Sequence, residues 1–461
     1  MISDLLRKRL VSLRFITFVM TNGMNIFPIL ILSKLFLVHE RIDKYVLPLI
    51  MFYCFKTTTL FLIRFKPIEM TKLLKLSLTF GMIGSILGFI SEIGSASAFS
   101  LIIAIISGCF LGLCSGTLMP SHLTIQFHEK RINNFHSTGK EQIFSLIYAF
   151  LLVFLILKLD QHNLGLSFIF LGINIALLTL VLTTYPKYHL KESIPYPNYS
   201  IIETIFLFVT GFLSILILKS AKKVDIGQII FPILLFLLSI SLIYLFYIVY
   251  IKKNRILSLQ FISAIIYKGM LTNFILVFCT FYQLLYHGSK AFYLVYFIYL
   301  IAIIVTPLIK KIYIRLVSSR QLHHYVATFL TISLLFLAVT QTFYIGVFFL
   351  TVISTELNQQ LNEVAYSNPK LPKDYRLIVK YRLNNIGSIL QQVIMFTILF
   401  ITTKLLHSAS LSEMFHDYSY KTANLNTLQP LKVTKIILLF IFIFFIPNLT
   451  RFIKNKTDNQ L

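Results

Sequence analysis

Runs of about twenty apolar residues recur from one end of this chain to the other, and no other feature limits its fold so tightly. Inside a bilayer no water can bond a bare N–H or C=O. A run of that length therefore satisfies its backbone within itself, as helix. The short alternating stretches of a membrane barrel do not occur. Of the 461 residues, 57% are hydrophobic and 13% charged, against a charged share of roughly 25% in a soluble domain. The expected architecture is an all-α polytopic membrane protein.

Fourteen spans can be delimited: Leu10–Leu37, Lys44–Phe65, Thr71–Ser91, Ala98–Met119, Glu141–Leu159, Leu164–Tyr185, Ile201–Leu218, Gly227–Ile251, Leu257–Tyr286, Ala291–Leu316, Leu322–Val339, Phe343–Leu361, Lys380–Leu405 and Leu431–Thr450. The run Leu322–Leu361 is too long for one crossing and is divided at Thr340-Gln341-Thr342. Charge supports the division. With the N-terminus inside, most of the 42 Lys and Arg residues fall in inside segments, and the basic stretch Lys370–Arg382 joins them only if that run is two spans. Lys219, Lys222 and Lys223 run against the pattern. The net charge of +25 thus reads as topology and gives no sign of nucleic-acid binding. The expected location is the cell membrane, multi-pass, with both termini cytoplasmic.

The spacing is duplicated. Six spans precede a Pro/Tyr-rich linker, Tyr185–Ser200, six follow Ile251, and two lie between. In each six, a short uncharged turn joins the third and fourth spans, and a longer basic loop precedes the fifth. The first spans also correspond, Thr21-Asn22-Gly23-Met24-Asn25 against Tyr267-Lys268-Gly269-Met270. The expected units are residues 1–185 and 257–461, each a six-helix bundle, separated by 186–256, the linker with two extra helices. Many secondary transporters are built from such repeats, with a binding site near mid-membrane.

The stretch Leu101–Arg131 carries Gly108, Gly112 and Gly116 four residues apart, then Pro120, where the apolar run is expected to end, then a basic loop with Lys130 and Arg131. Small residues at that spacing let a neighbouring backbone come close in lipid. A glycine-faced span, a proline and a basic loop resemble the fourth span of a major facilitator transporter. The whole layout is similar to that superfamily's fourteen-span, drug:proton antiporter-like branch, including the long segment Leu405–Pro430 before the final span. The resemblance implies a fold of two six-helix bundles plus two central extra helices, and alternating access as the mechanism. The first span holds no membrane Asp or Glu of the kind that branch uses for cationic drugs.

Lys56 and Lys268 are the two charges read at mid-span. A cation there costs ~2.5–3.5 kcal/mol on insertion scales, so it faces a cavity or a partner. As functional groups they would hold an anionic part of the cargo; the alternatives are an interhelical hydrogen bond or snorkelling. Asn22 and Asn25, one turn apart before Pro28, and Asn273, five residues after Lys268, are candidates for hydrogen bonding to cargo, with helix–helix bonding as the plainer role. Glu356, followed by Gln359, Gln360 and Glu363, is the acidic candidate for proton coupling, unless it marks a solvated helix end.

No cofactor or metal site is expected. The four cysteines lie in apolar runs, and neither HExxH, CxxC nor a glycine-rich phosphate loop occurs. His122, His128, His136, His323 and His324 fall in expected cytoplasmic loops. The sequence reads as a secondary transporter, an exporter of an amphipathic or anionic small molecule, acting as a single chain in the bilayer with protons as the candidate driving ion. The other readings are a lipid-linked sugar flippase of another fourteen-span fold, a membrane-embedded transferase, for which His416-Asp417 is the one pair to test, and an interaction protein that no longer transports.

Overall fold

The computed structural model describes residues 13–38, 43–63, 69–93, 98–132, 139–183, 201–220, 257–316, 322–406 and 425–458. Among them every regular element is helical. The first part comprises α1 (Phe15–Gly23), α2 (Phe27–Val38), a 3-10 turn at Asp43–Val46, α3 (Leu47–Leu62), α4 (Met70–Ile93), α5 (Ala98–Ile132), α6 (Gly139–His162), α7 (Leu164–Leu182) and α8 (Ile201–Ser220). The second comprises α9 (Leu259–Asn273), a π-helical segment at Phe274–Cys279, α10 (Thr280–His287), α11 (Ser289–Leu316), α12 (Leu322–Ala338), α13 (Phe343–Ser367), α14 (Lys373–Leu405) and α15 (Leu425–Asp458). Among the described residues seven helices are long and apolar enough to cross a membrane, eight with the bent α1–α2 pair; shorter apolar segments occupy α3, α6, α8 and α12. The chain is a multi-pass membrane protein, all-helical among its described residues. The expected span Gly227–Ile251, the linker Tyr185–Ser200 and the pair His416-Asp417 lie outside the described residues.

Two compact units form, one of Met1–Leu216 with Asn368–Tyr381, the other of Ile217–Ser367 with Arg382–Leu461. In the first, the glycine ladder meets backbone. A methyl group at Gly112 would stand 2.6 Å from the Phe52 carbonyl oxygen, one at Gly116 2.6 Å from that of Lys56, and one at Gly108 would run into the Pro48 carbonyl. Four-residue steps on α5 thus match four-residue steps on α3. The opposite side of α5 meets α4, where Ser107 Oγ donates to the Gly84 carbonyl at 2.6 Å and Ser77 and Thr117 hydroxyls lie 2.6 Å apart. The helix α8 packs here too: its Phe208 and Phe212 lie 6.1 and 5.4 Å from the Phe55 ring. The second unit has its own close crossing. Gly269 of α9 faces the Asn384 carbonyl and Gly387 of α14 faces the Ile266 carbonyl, with Ser388 Oγ donating to the Gly269 carbonyl at 3.2 Å.

Several expectations are corrected. The first span is not one helix. It breaks between Gly23 and Phe27 with a 43° bend, because Pro28 offers no N–H to the Met24 carbonyl. Pro120, in contrast, does not end its helix: α5 runs on to Ile132. Hydroxyls there bond back to the preceding turn, Ser121 Oγ donating to the Thr117 carbonyl at 2.6 Å and Thr124 Oγ1 to that of Pro120 at 2.7 Å. His122 and His128 therefore sit on this helix and are buried, not in a loop. The stretch Lys370–Arg382 is largely helix, α14 starting at Lys373, with Arg376, Lys380 and Arg382 buried. The division at Thr340–Thr342 matches a real interruption between α12 and α13.

Candidate functional site

In the first unit, the break in the first span separates the two asparagines. Asn22 stays on α1 and its side-chain amide donates to the Phe18 carbonyl at 2.8 Å. Asn25 lies in the break, where its Oδ1 accepts from Ser115 Oγ at 3.3 Å and its backbone carbonyl accepts from Lys56 Nζ at 3.0 Å. They do not share a helical face. Lys56 is half-buried on α3, 5.6 Å from the Phe52 ring centroid, and is engaged with backbone. Thr21 Oγ1 and His122 Nδ1, 3.3 Å apart, tie α1 to α5 nearby.

Lys268 differs. It lies on α9, 8% exposed, and among the described residues its ammonium has neither hydrogen bond nor ion pair. Thr272, one turn on, stands 3.4 Å from Ser354 of α13, so this face of α9 turns towards α13. Asn273 points elsewhere, to α14. Its Nδ2 donates to Gln391 Oε1, and its Oδ1 accepts from Gln392 Nε2 at 3.3 Å. Gln391 Nε2 and Gln392 Oε1 are buried with no partner among the described residues. Directly after Asn273 the helix widens into its π segment, a form that often marks functional sites.

Glu356 is no solvated helix end. It is 5% exposed, and its Oε1 accepts from Lys310 Nζ at 2.8 Å and Gln360 Nε2 at 3.2 Å. Its Oε2 is buried without a partner among the described residues. Lys310 also donates to Gln359 Oε1 at 3.4 Å. The sequence reading missed further buried polar groups. Lys435 of α15, 3% exposed, donates to the Ala338 carbonyl at 2.9 Å and Tyr282 Oη at 3.3 Å, with its ammonium 4.6 Å from the Tyr282 ring centroid. Gln391, Gln392 and Lys435 all fall inside expected spans, which was the signal available for them. At the far end of α5, His128 Nε2 lies 2.9 Å from Asp374 Oδ1, and Arg14 and Glu129 are paired at 3.4 Å. Among the described residues no cluster of His, Cys, Asp and Glu is able to hold a metal ion.

No protein-family model matches the chain, and no curated protein matches it. Solved structures do. A peptide transporter POT in complex with sulfate is 12% identical with a TM-score of 0.52, covering 96% of this chain and 95% of that one. A mutant peptide transporter POT bound to alafosfalin is 13% identical with a TM-score of 0.51, over 96% and 95%. A bacterial homologue of the human drug peptide transporters is 11% identical with a TM-score of 0.50, over 96% and 99%. At such identities the likeness is one of fold. The chain shares the fold of these structures, a helical membrane architecture.

Proposed function

We propose that this chain is a secondary transporter, an exporter of an amphipathic or anionic small molecule, working by alternating access in the cell membrane with both termini cytoplasmic. The observation that carries the reading is Lys268. An ammonium buried in a membrane helix is costly, and this one has no hydrogen bond or ion pair among the described residues, so an anionic group of the cargo is its natural complement. The likeness in fold to structures titled peptide transporters supports a small-molecule cargo. Lys56, engaged with the Asn25 carbonyl, is the weaker of the two cations as a cargo ligand.

Protons are the proposed driving ion, with Glu356 the group that takes them. It is a buried carboxylate whose second oxygen is open, and Lys310 is its counter-ion. The test is uptake into proteoliposomes of reconstituted protein across matched panels of anionic and cationic amphiphiles. Lys268→Met, expressed at normal level, should lose about tenfold in transport of anions, as loss of a charge-assisted hydrogen bond implies. Preference for cations, or full anion transport by Lys268→Met, would sink the proposal.

A further inference from the structure

We infer that Lys56 is the latch of the kink in the first membrane helix, a positioning residue that fixes α1 against α2 by bonding the backbone between them. Three observations meet at one place. At the break the backbone tightens to turns, the Asn25 amide reaching the Asn22 carbonyl at 3.2 Å and the Ile26 amide that of Gly23 at 2.8 Å, and the four-residue step is regained with the Leu30 amide on the Ile26 carbonyl at 3.0 Å. The Asn25 carbonyl, just before that point, takes the Lys56 ammonium at 3.0 Å in place of an amide. The Asn25 side chain is held in turn by Ser115 of α5.

The latch is anchored from below. Gly112 and Gly116 bring the α5 backbone against α3 at Phe52 and Lys56 themselves, with a methyl at Gly116 only 2.6 Å from the Lys56 carbonyl. The position of Lys56 is thereby fixed by a backbone-to-backbone contact that no side-chain rotation relaxes. An apolar membrane interior leaves a freed carbonyl costly until a donor reaches it, and a charged donor bonds about twice as strongly as a neutral one. The expanded role of Lys56 is thus structural control of a bend, independent of what the protein carries.

The experiment is hydrogen exchange followed by mass spectrometry on the full protein in nanodiscs, without any cargo. It compares a peptide across residues 22–31 with one inside α4, and uses Lys56→Met and Lys56→Arg. In Lys56→Met the amides at the break should exchange about tenfold faster, which corresponds to about 1.4 kcal/mol, while α4 keeps its wild-type rate. Lys56→Arg, which also carries a donor cation, should return the break to within about twofold of wild type. Unchanged exchange at the break in Lys56→Met overturns the latch. So does a rise of equal size in α4, because a latch acts at one place, and so does failure of arginine to restore the rate. The outcome does not depend on Lys268 or on transport, so it stands or falls separately from the proposed function.

Discussion

Without the Lys310 ammonium, the Glu356 carboxylate keeps Gln360 as its donor and stays 5% exposed. An uncompensated buried charge is expensive, and removing one partner of such a pair typically costs about 3–5 kcal/mol. Lys310→Met should therefore lower the unfolding midpoint of the purified protein sharply, whereas Glu356→Gln added to it should restore most of the loss, since both charges are then gone. A double variant as unstable as Lys310→Met would show that the pair is not the source of the cost. The two residues were unequally legible in the sequence. Glu356 is an acid within an apolar run and draws notice. Lys310 sits beside Lys311 at the basic end of a span and reads as one more inside charge; only the packing of α11 beside α13 tells them apart. Lys435 was hidden in the same way, near the start of its span, although it caps the last turn of α12 at Ala338.

Helices whose closest contacts are carbonyls tolerate no added atoms at those points. Gly112→Ile should cost more than the ~1–3 kcal/mol of ordinary overpacking, because the obstacle at 2.6 Å is the Phe52 backbone rather than a movable side chain. Gly172→Ala, where the nearest atom is Ser85 Cβ at 3.3 Å, should leave stability unchanged or raise it by up to about 1 kcal/mol. Thermal unfolding in detergent separates them, and equal behaviour of the two variants would refute the ladder. This ladder was readable from spacing alone, as was the interruption at Thr340–Thr342. The fates of the two prolines were not told apart. Both Pro28 and Pro120 remove an amide, yet the first breaks its helix and the second does not. Gly116, whose carbonyl Pro120 leaves without an amide, is held backbone to backbone against Lys56 of α3, a contact between elements that the residues around a proline do not show. The contact of buried His128 with Asp374 is a meeting across 246 positions of sequence, which spacing within one element cannot reveal.

At the scale of the molecule, the direction of every span after Leu322 depends on α13. This helix has 25 residues, about 37 Å at 1.5 Å per residue, enough to cross; its second half, from Glu356 to Glu363, is polar enough that composition alone does not mark it as a span. Two observations support the crossing. The positive-inside pattern places Lys370–Arg382 with the other basic segments only if α13 crosses. The 2.9 Å contact of His128 with Asp374 brings the end of α5 and the start of α14 to one level, so Lys130 and Lys370, both exposed, belong on one face of the membrane. Gln341, exposed between α12 and α13, belongs on the other. With Cys109 replaced by serine, and Cys54, Cys114 and Cys279 left buried, single cysteines at Lys130, Lys370 and Gln341 should divide accordingly. An impermeant maleimide added outside intact cells should label Gln341→Cys alone, and Lys130→Cys and Lys370→Cys should react only after the membrane is opened. Labelling of Gln341→Cys and Lys370→Cys from the same side would mean that α13 does not cross. That result would reverse every later span, and it would leave the α5–α14 contact with its partners on opposite faces of the bilayer.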